Sequence, residues 1–153
     1  MFYIGLLGKL DDATGKPLAK VIFGNEEEVF PLFSDCWSEK KFEAQWLDAL
    51  TKLSSAKGNA RTALVTEIYT PNVNQAIRWW LLYREGQDLW IREQLVTRDQ
   101  FPENFDPMAA GNFVPPRSKH DANNDGFVVS EWHVSMEDLA KFLASLKIRV
   151  GNP

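Results

Sequence analysis

Two apolar runs, residues 76–84 and 88–96, flank the tripeptide Glu85-Gly86-Gln87, and this arrangement constrains the fold of the 153-residue chain more than any other. Between them the runs are rich in Trp, Leu, Ile and Tyr, and a short break containing Gly joins such strands into an antiparallel hairpin. With a three-residue loop, Arg84 faces Asp88, Leu82 faces Trp90 and Trp80 faces Arg92. One sheet face then carries Ile77, Trp79, Leu81, Tyr83, Leu89 and Ile91, which reads as core. The other carries Arg78, Trp80, Leu82, Arg84, Trp90 and Arg92, an aromatic face fringed with Arg. That face is either covered or open to a partner, and covering is the commoner outcome.

The rest of the chain extends the hairpin into a mixed pattern. Residues 2–10 read as a strand, with Gly5 and Gly8 as weak points or bulges, and the polar turn 11–17 passes the chain to a second strand at 18–23. Asn25-Glu26-Glu27-Glu28 reads as an acidic loop or the start of a short helix, stopped near Pro31. Behind Ser38, a natural N-cap, Phe42, Trp46, Ala49, Leu50 and Leu53 recur at helical spacing. Trp37 and Phe42 occupy staple positions and Gly58 marks the end, so this helix covers about 39–57. A strand over 62–70 ends at Pro71 and completes a meander with the hairpin. Residues 101–116 hold four of the eight prolines and read as an irregular segment packed by Phe101, Phe105 and Phe113. A strand at 127–134 leads into a last helix capped by Ser135, with Asp138 as capping-box partner, Val134 and Leu139 as staple, and Leu139, Phe142, Leu143 and Leu146 as its apolar face. The order β-β-α-β-β-β-loop-β-α predicts an α+β fold: a mostly antiparallel twisted sheet of about six strands with two main helices, in one domain over residues 1–153.

Composition limits the function classes. A chain of this length buries enough surface to need no disulfide or metal staple. Cys36 is the sole cysteine, so an internal disulfide and a CxxC site are both excluded. The N-terminal run lacks a basic n-region and is broken by Gly5 and Gly8, which makes a poor signal peptide, and no stretch approaches the roughly 18 apolar residues of a membrane span. A cytoplasmic protein without membrane contact is expected. The net charge of −4 is distributed unevenly: residues 1–51 carry nine acids and five bases, 52–102 five and seven, and 103–153 seven and five. That balance disfavours nucleic acid, whose phosphates need clustered Lys and Arg, and suits a basic protein partner. Arg78, Arg84, Arg92, Trp80 and Trp90 superficially form a base-stacking platform, yet Asp88 and Glu93 in the same hairpin favour ordinary cross-strand pairing.

Motifs for chemistry are sparse. HExxH, the P-loop, GxGxxG and the GxSxG elbow are absent, and Cys36 sits in no nucleophile motif. No catalytic residue, cofactor or small-molecule substrate is expected; the alternative is a small hydrolase using His120 or His133. Asp121-Ala122-Asn123-Asn124-Asp125-Gly126 matches positions 1, 3, 5 and 6 of a calcium-binding EF-hand loop. Position 12 is Trp132, however, with the acid one place early at Glu131, and the prolines before the loop cannot form the entering helix. An Asn/Asp/Gly turn, with no metal site, is the plainer reading of it, and a calcium-responsive binding module is the remaining alternative.

Several segments together are more specific than any of these motifs. Met1-Phe2-Tyr3-Ile4-Gly5-Leu6, Thr62 to Tyr69, Arg78-Trp79-Trp80 with Tyr83-Arg84-Glu85-Gly86, Phe105-Asp106-Pro107, Phe113 to Arg117, and Val129-Ser130-Glu131-Trp132 form one pattern along the chain. By that pattern the chain resembles the immunity proteins of bacterial contact-dependent growth inhibition systems. The resemblance implies a cytoplasmic, non-enzymatic protein that binds and neutralises the C-terminal toxin domain of a cognate effector, often a nuclease. It carries over no contact residues. Because a nuclease site is basic, an inhibitor can present carboxylates in place of phosphates, and the turn-borne acids Asp11, Asp12, Glu26, Glu27, Glu28, Asp121 and Asp125 are the expected toxin contacts.

Overall fold

The computed structural model describes residues 1–68, 76–97, 100, 102–117 and 130–151. Its strands fall into two sheets. β1 (Phe2–Leu10), β2 (Pro17–Phe23) and β3 (Glu26–Pro31) form an antiparallel sheet in that order. β4 (Phe33–Ser34), β5 (Ala60–Ile68), β6 (Ala76–Glu85), β7 (Asp88–Thr97) and β8 (Glu131–Ser135) form the second, antiparallel except for the short β4–β5 pair. Helix α1 (Glu39–Ser55) follows β4, a 3-10 helix spans Pro107–Phe113, and α2 (Met136–Gly151) ends the chain. The fold is α+β, as the sequence pattern predicts, but with two strands beyond the six expected and with the strands divided between two sheets where the pattern predicts one. No helix among the described residues is long and apolar enough to cross a membrane.

β3 is one of the two additions. Glu26, Glu27 and Glu28 have poor strand propensity, which is why they read as a loop or helix start. They are strand nonetheless, because Phe23↔Glu26, Val21↔Glu28 and Ala19↔Phe30 pair in register and bury Phe30. In β1 the predicted bulge falls between Leu6 and Leu10, where the register shifts and Gly8 adopts φ +71°.

The hairpin is shifted by one residue from the sequence-based register. Glu85 pairs with Asp88, Arg84 with Leu89, Leu82 with Ile91 and Trp80 with Glu93, so the loop is the two residues Gly86-Gln87, with Gly86 at φ +64°. A shift of one moves every β7 side chain to the opposite face. Trp79, Leu81 and Tyr83 therefore share a face with Trp90 and Arg92, whereas Trp80, Leu82 and Arg84 share theirs with Leu89, Ile91 and Glu93. Both faces are covered. Trp80 packs on Phe23 and Phe30 of the first sheet and on Trp132 of β8, with ring centroids 5.2, 6.2 and 5.5 Å apart. Trp79 packs on Phe105, which in turn meets Phe113, and the Tyr83 hydroxyl donates to the Pro115 carbonyl. The proline-rich segment is thus a lid on the first face; Phe101 lies outside the described residues.

α1 begins where the sequence places it. Ser38 Oγ accepts from Lys41 N, and the Trp37 and Phe42 rings meet at 5.2 Å as the staple requires. Its buried stripe includes a polar residue that periodicity alone passes over. Gln45, 1 % exposed, donates from Nε2 to Ala63 O and accepts from Val65 N, while Trp46 Nε1 donates to Val65 O. The stretch of the β5 edge that the short β4 does not reach is thereby satisfied by two helix side chains. At the other end of α1, Arg84 points Nη1 at the carbonyls of Leu53, Ser54 and Ala56, 3.0 Å from each, neutralising the helix C-terminus. Arg84 therefore does not pair with Asp88. Ser135 caps α2 by accepting from Asp138 N, and the Asp138 carboxylate lies 3.4 Å from the N-terminal ammonium.

Candidate binding surface

The acids expected to contact a partner fall into separate groups. Asp11 and Asp12 occupy the β1–β2 turn, where Asp11 Oδ2 accepts from Thr14 Oγ1 at 2.7 Å and Asp12 is exposed. Glu26, Glu27 and Glu28 lie along β3, reached from the far end of β2, which spans Pro17–Phe23. At about 3.3 Å per residue, β2 separates the two groups by roughly 20 Å. The structure does not bring them into one patch. Asp121 and Asp125 lie outside the described residues, as do His120 and most of the loop that resembles a calcium site.

The β3 acids stand in a richer setting than their sequence suggests. Glu26 Oε2 accepts from Trp132 Nε1 at 2.6 Å, and Glu27 lies 3.6 Å from Lys20 Nζ. Glu26 and Glu28 share the inner side of β3 with Phe30, facing the Trp80 side of the second sheet. There Arg78 lies 3.3 Å from Glu67 and 3.7 Å from Glu93. Burial raises the Glu67 carboxyl above its ordinary range against the pull of Arg78. Burial also raises Glu93, followed by repulsion from Glu28, again against Arg78. Two carboxylates thus share one guanidinium, with the Glu28 charge near one of them. Sequence reasoning missed Glu93 because the slipped register set Arg92 opposite Trp80, where a two-residue Gly-X turn was the available signal, and missed Glu67 because it meets Arg78 across a register shift in the β5–β6 pair.

A second charged cluster covers the outer edge of the Trp79 face. Arg92 Nε donates to Glu131 at 2.6 Å, and Arg117 bonds Glu131 at 2.9 Å and Glu85 at 3.0 Å while lying 4.5 Å over the Trp90 ring. Burial would raise the Glu131 carboxyl, but hydrogen bonds from Arg117 and Arg92 and the charges of both hold it below its ordinary value. The acid one place early in the calcium-like motif is thus engaged by two arginines. With Trp80 buried and Trp90 beneath Arg117 on the opposite face, no exposed base-stacking platform exists in this hairpin.

His133 Nε2 lies 2.7 Å from Asp88 Oδ1 and its ring stacks on Trp90 at 4.4 Å, in an exposed position on β8. Cys36 follows β4, and β4 and β8 are the opposite edges of the five-stranded sheet, so these two groups do not converge. Among the described residues, no group of three or more His, Cys, Asp or Glu side chains could hold a metal ion.

Fold and surface together define a small α+β protein whose most distinctive site is a carboxylate-rich, aromatic-walled face between two sheets. A family described as the CdiI N-terminal domain matches residues 33–142. The chain belongs to this family, the immunity proteins of contact-dependent growth inhibition. It is 27% identical over 128 residues to the immunity protein CdiI of Enterobacter cloacae subsp. cloacae, covering 84% of this chain and 85% of that protein. It also superimposes on a chain of a solved CdiA-CT/CdiI toxin and immunity complex from Enterobacter cloacae with TM-score 0.79 and 26% identity, covering 96% of this chain and 99% of that one.

Proposed function

We propose that this chain is a cytoplasmic immunity protein, with residues 1–153 acting as one domain, that binds and neutralises the C-terminal toxin domain of a cognate contact-dependent growth inhibition effector. It acts by stoichiometric binding and without catalysis, cofactor, metal, nucleic acid or membrane. The observation that carries this reading is near end-to-end superposition on a chain of a toxin and immunity complex, joined to membership of the CdiI family. The separation of Cys36 from His133 and the double engagement of Glu131 supply no competing chemistry. The toxin is a nuclease in this reading, and Asp11, Asp12, Glu26, Glu27, Glu28, Asp121 and Asp125 present carboxylates to its basic surface.

Co-expression tests it directly. The toxin domain encoded beside this chain's gene should arrest growth alone, and this chain should restore growth and co-purify with that domain at one to one. Failure of both rescue and co-purification overturns the proposal. Rescue lost in a folded His120→Ala or His133→Ala variant that still binds the toxin would indicate catalysis instead. Charge reversal at all seven acids should weaken binding in low salt, and unchanged affinity would remove them from the interface.

A further inference from the structure

The hollow between β3 and the Trp80 face is built differently from an ordinary surface dip. It has a volume of about 150 Å³, with Phe23, Trp80 and Trp132 among its walls and Glu26, Glu27 and Glu28 along its rim. The hydrogen bond from Trp132 to Glu26 fixes one aromatic wall against one rim carboxylate. Behind the rim, Glu93 stands opposite Trp80 in the β6–β7 register, close enough to Glu28 for the Glu28 charge to oppose its ionisation. Lys20 serves Glu27 on the outer side of β3, and Arg78 is already divided between Glu67 and Glu93. Negative charge is left over on the inner side.

A second observation is independent of charge. Trp80 is 1 % exposed, and its indole Nε1 is buried with no hydrogen-bond partner, although Trp80 forms part of the cleft wall. A buried donor left unpaired costs roughly 1–3 kcal/mol, so an oxygen that a ligand brings to it as the cleft closes adds a stabilising contact. Unmatched carboxylates call for a cation, and flat indole surfaces favour the same charge. The orphaned N–H calls for an oxygen. A Lys or Arg side chain projecting from a polypeptide brings both, because its own main chain or a neighbouring residue carries the carbonyl.

Resting on the immunity reading above, we propose that this cleft is a receptor for one basic side chain of the toxin domain, whose cation lies between Glu28 and the Trp132 ring while an oxygen of the same segment accepts from Trp80. The interface is then anchored at the β3 edge, and the Asp11–Asp12 turn, a strand length away, adds long-range attraction only.

The test is calorimetric titration of the toxin domain encoded beside this chain's gene into the full-length protein and its variants. Glu28→Gln with Glu93→Gln should weaken binding by ten- to a hundred-fold and flatten its salt dependence, while the free double variant melts at the same or a higher temperature because like charges have been removed. Glu28→Lys, which supplies a cation in cis at an exposed position, should weaken it at least as much. Asp12→Asn should change affinity less than three-fold. If the wild-type chain binds and both cleft variants bind equally well with an unchanged salt slope, the cleft proposal is overturned and the immunity reading stands. If the wild-type chain fails to bind, the immunity reading is overturned and the cleft assignment goes with it.

Discussion

The two faces of the β6–β7 hairpin carry charge clusters of opposite design. On the Trp79 face, Arg92 and Arg117 meet Glu131 and Glu85, two cations for two anions, and the central Glu131 carboxyl is held below its ordinary range. On the Trp80 face, Arg78 serves Glu67 and Glu93 with Glu28 nearby, and both paired carboxyls are pushed up by burial. A matched network closes on itself and ties the proline-rich segment to the sheet. An unmatched one stores repulsion that a basic ligand can relieve. The difference separates charge that supports the fold from charge that waits for a partner.

Removing the centre of the matched network should have the largest effect. Glu131→Gln leaves Arg92, 8 % exposed at its side chain, without its main counter-charge, and should cost about 3 kcal/mol in urea unfolding at neutral pH. Arg117→Met keeps the Arg92–Glu131 pair but loses the bonds to Glu131 and Glu85, and should cost about 1.5 kcal/mol by the same measurement. Glu93→Gln, on the unmatched side, should leave the free protein unchanged or more stable by about 0.5 kcal/mol, since burial and the Glu28 and Glu67 charges oppose its ionisation against the pull of Arg78. A loss above about 1 kcal/mol for Glu93→Gln would abolish the distinction between the two faces.

The pH dependence of these variants sharpens it further. The folded Glu93 carboxyl titrates above the ordinary value of 4.5, so its stabilising contribution is present below 4.5 and is lost as pH rises through the folded value. Wild type should therefore gain on Glu93→Gln as pH is lowered from 7 through that raised value. Glu131 titrates below 4.5 when folded, so its contribution is present above 4.5 and is lost as pH falls through the folded value. The wild-type advantage over Glu131→Gln should shrink there. Parallel curves for the two variants between pH 7 and pH 3 would contradict the assignment.

Local signals in the sequence survived folding well. The Ser38 cap, the Trp37–Phe42 staple, the Ser135 cap and the bulge near Gly8 are set by neighbours within a few residues, and each is where the pattern places it. The hairpin register was not legible for a specific reason. Trp79 and Trp80 are both 1 % exposed, so the strand is apolar on two sides and alternation carries no information about which residue faces which. β3 was hidden because three successive glutamates oppose strand formation locally, and only pairing with β2 overrides them. The acidic cleft depended on both. Neither Glu93 nor Glu28 could be joined to Trp80 until strand and register were known.

The attachment of α1 has a consequence for divergence. Gln45 and Trp46 grip β5 by its peptide groups at Ala63 and Val65, so replacing β5 side chains leaves that grip intact. A lineage under pressure to track a changing opponent can therefore rewrite the residues around this joint without unhooking the helix. At this joint the demand on side-chain identity falls on the two residues that form the clasp.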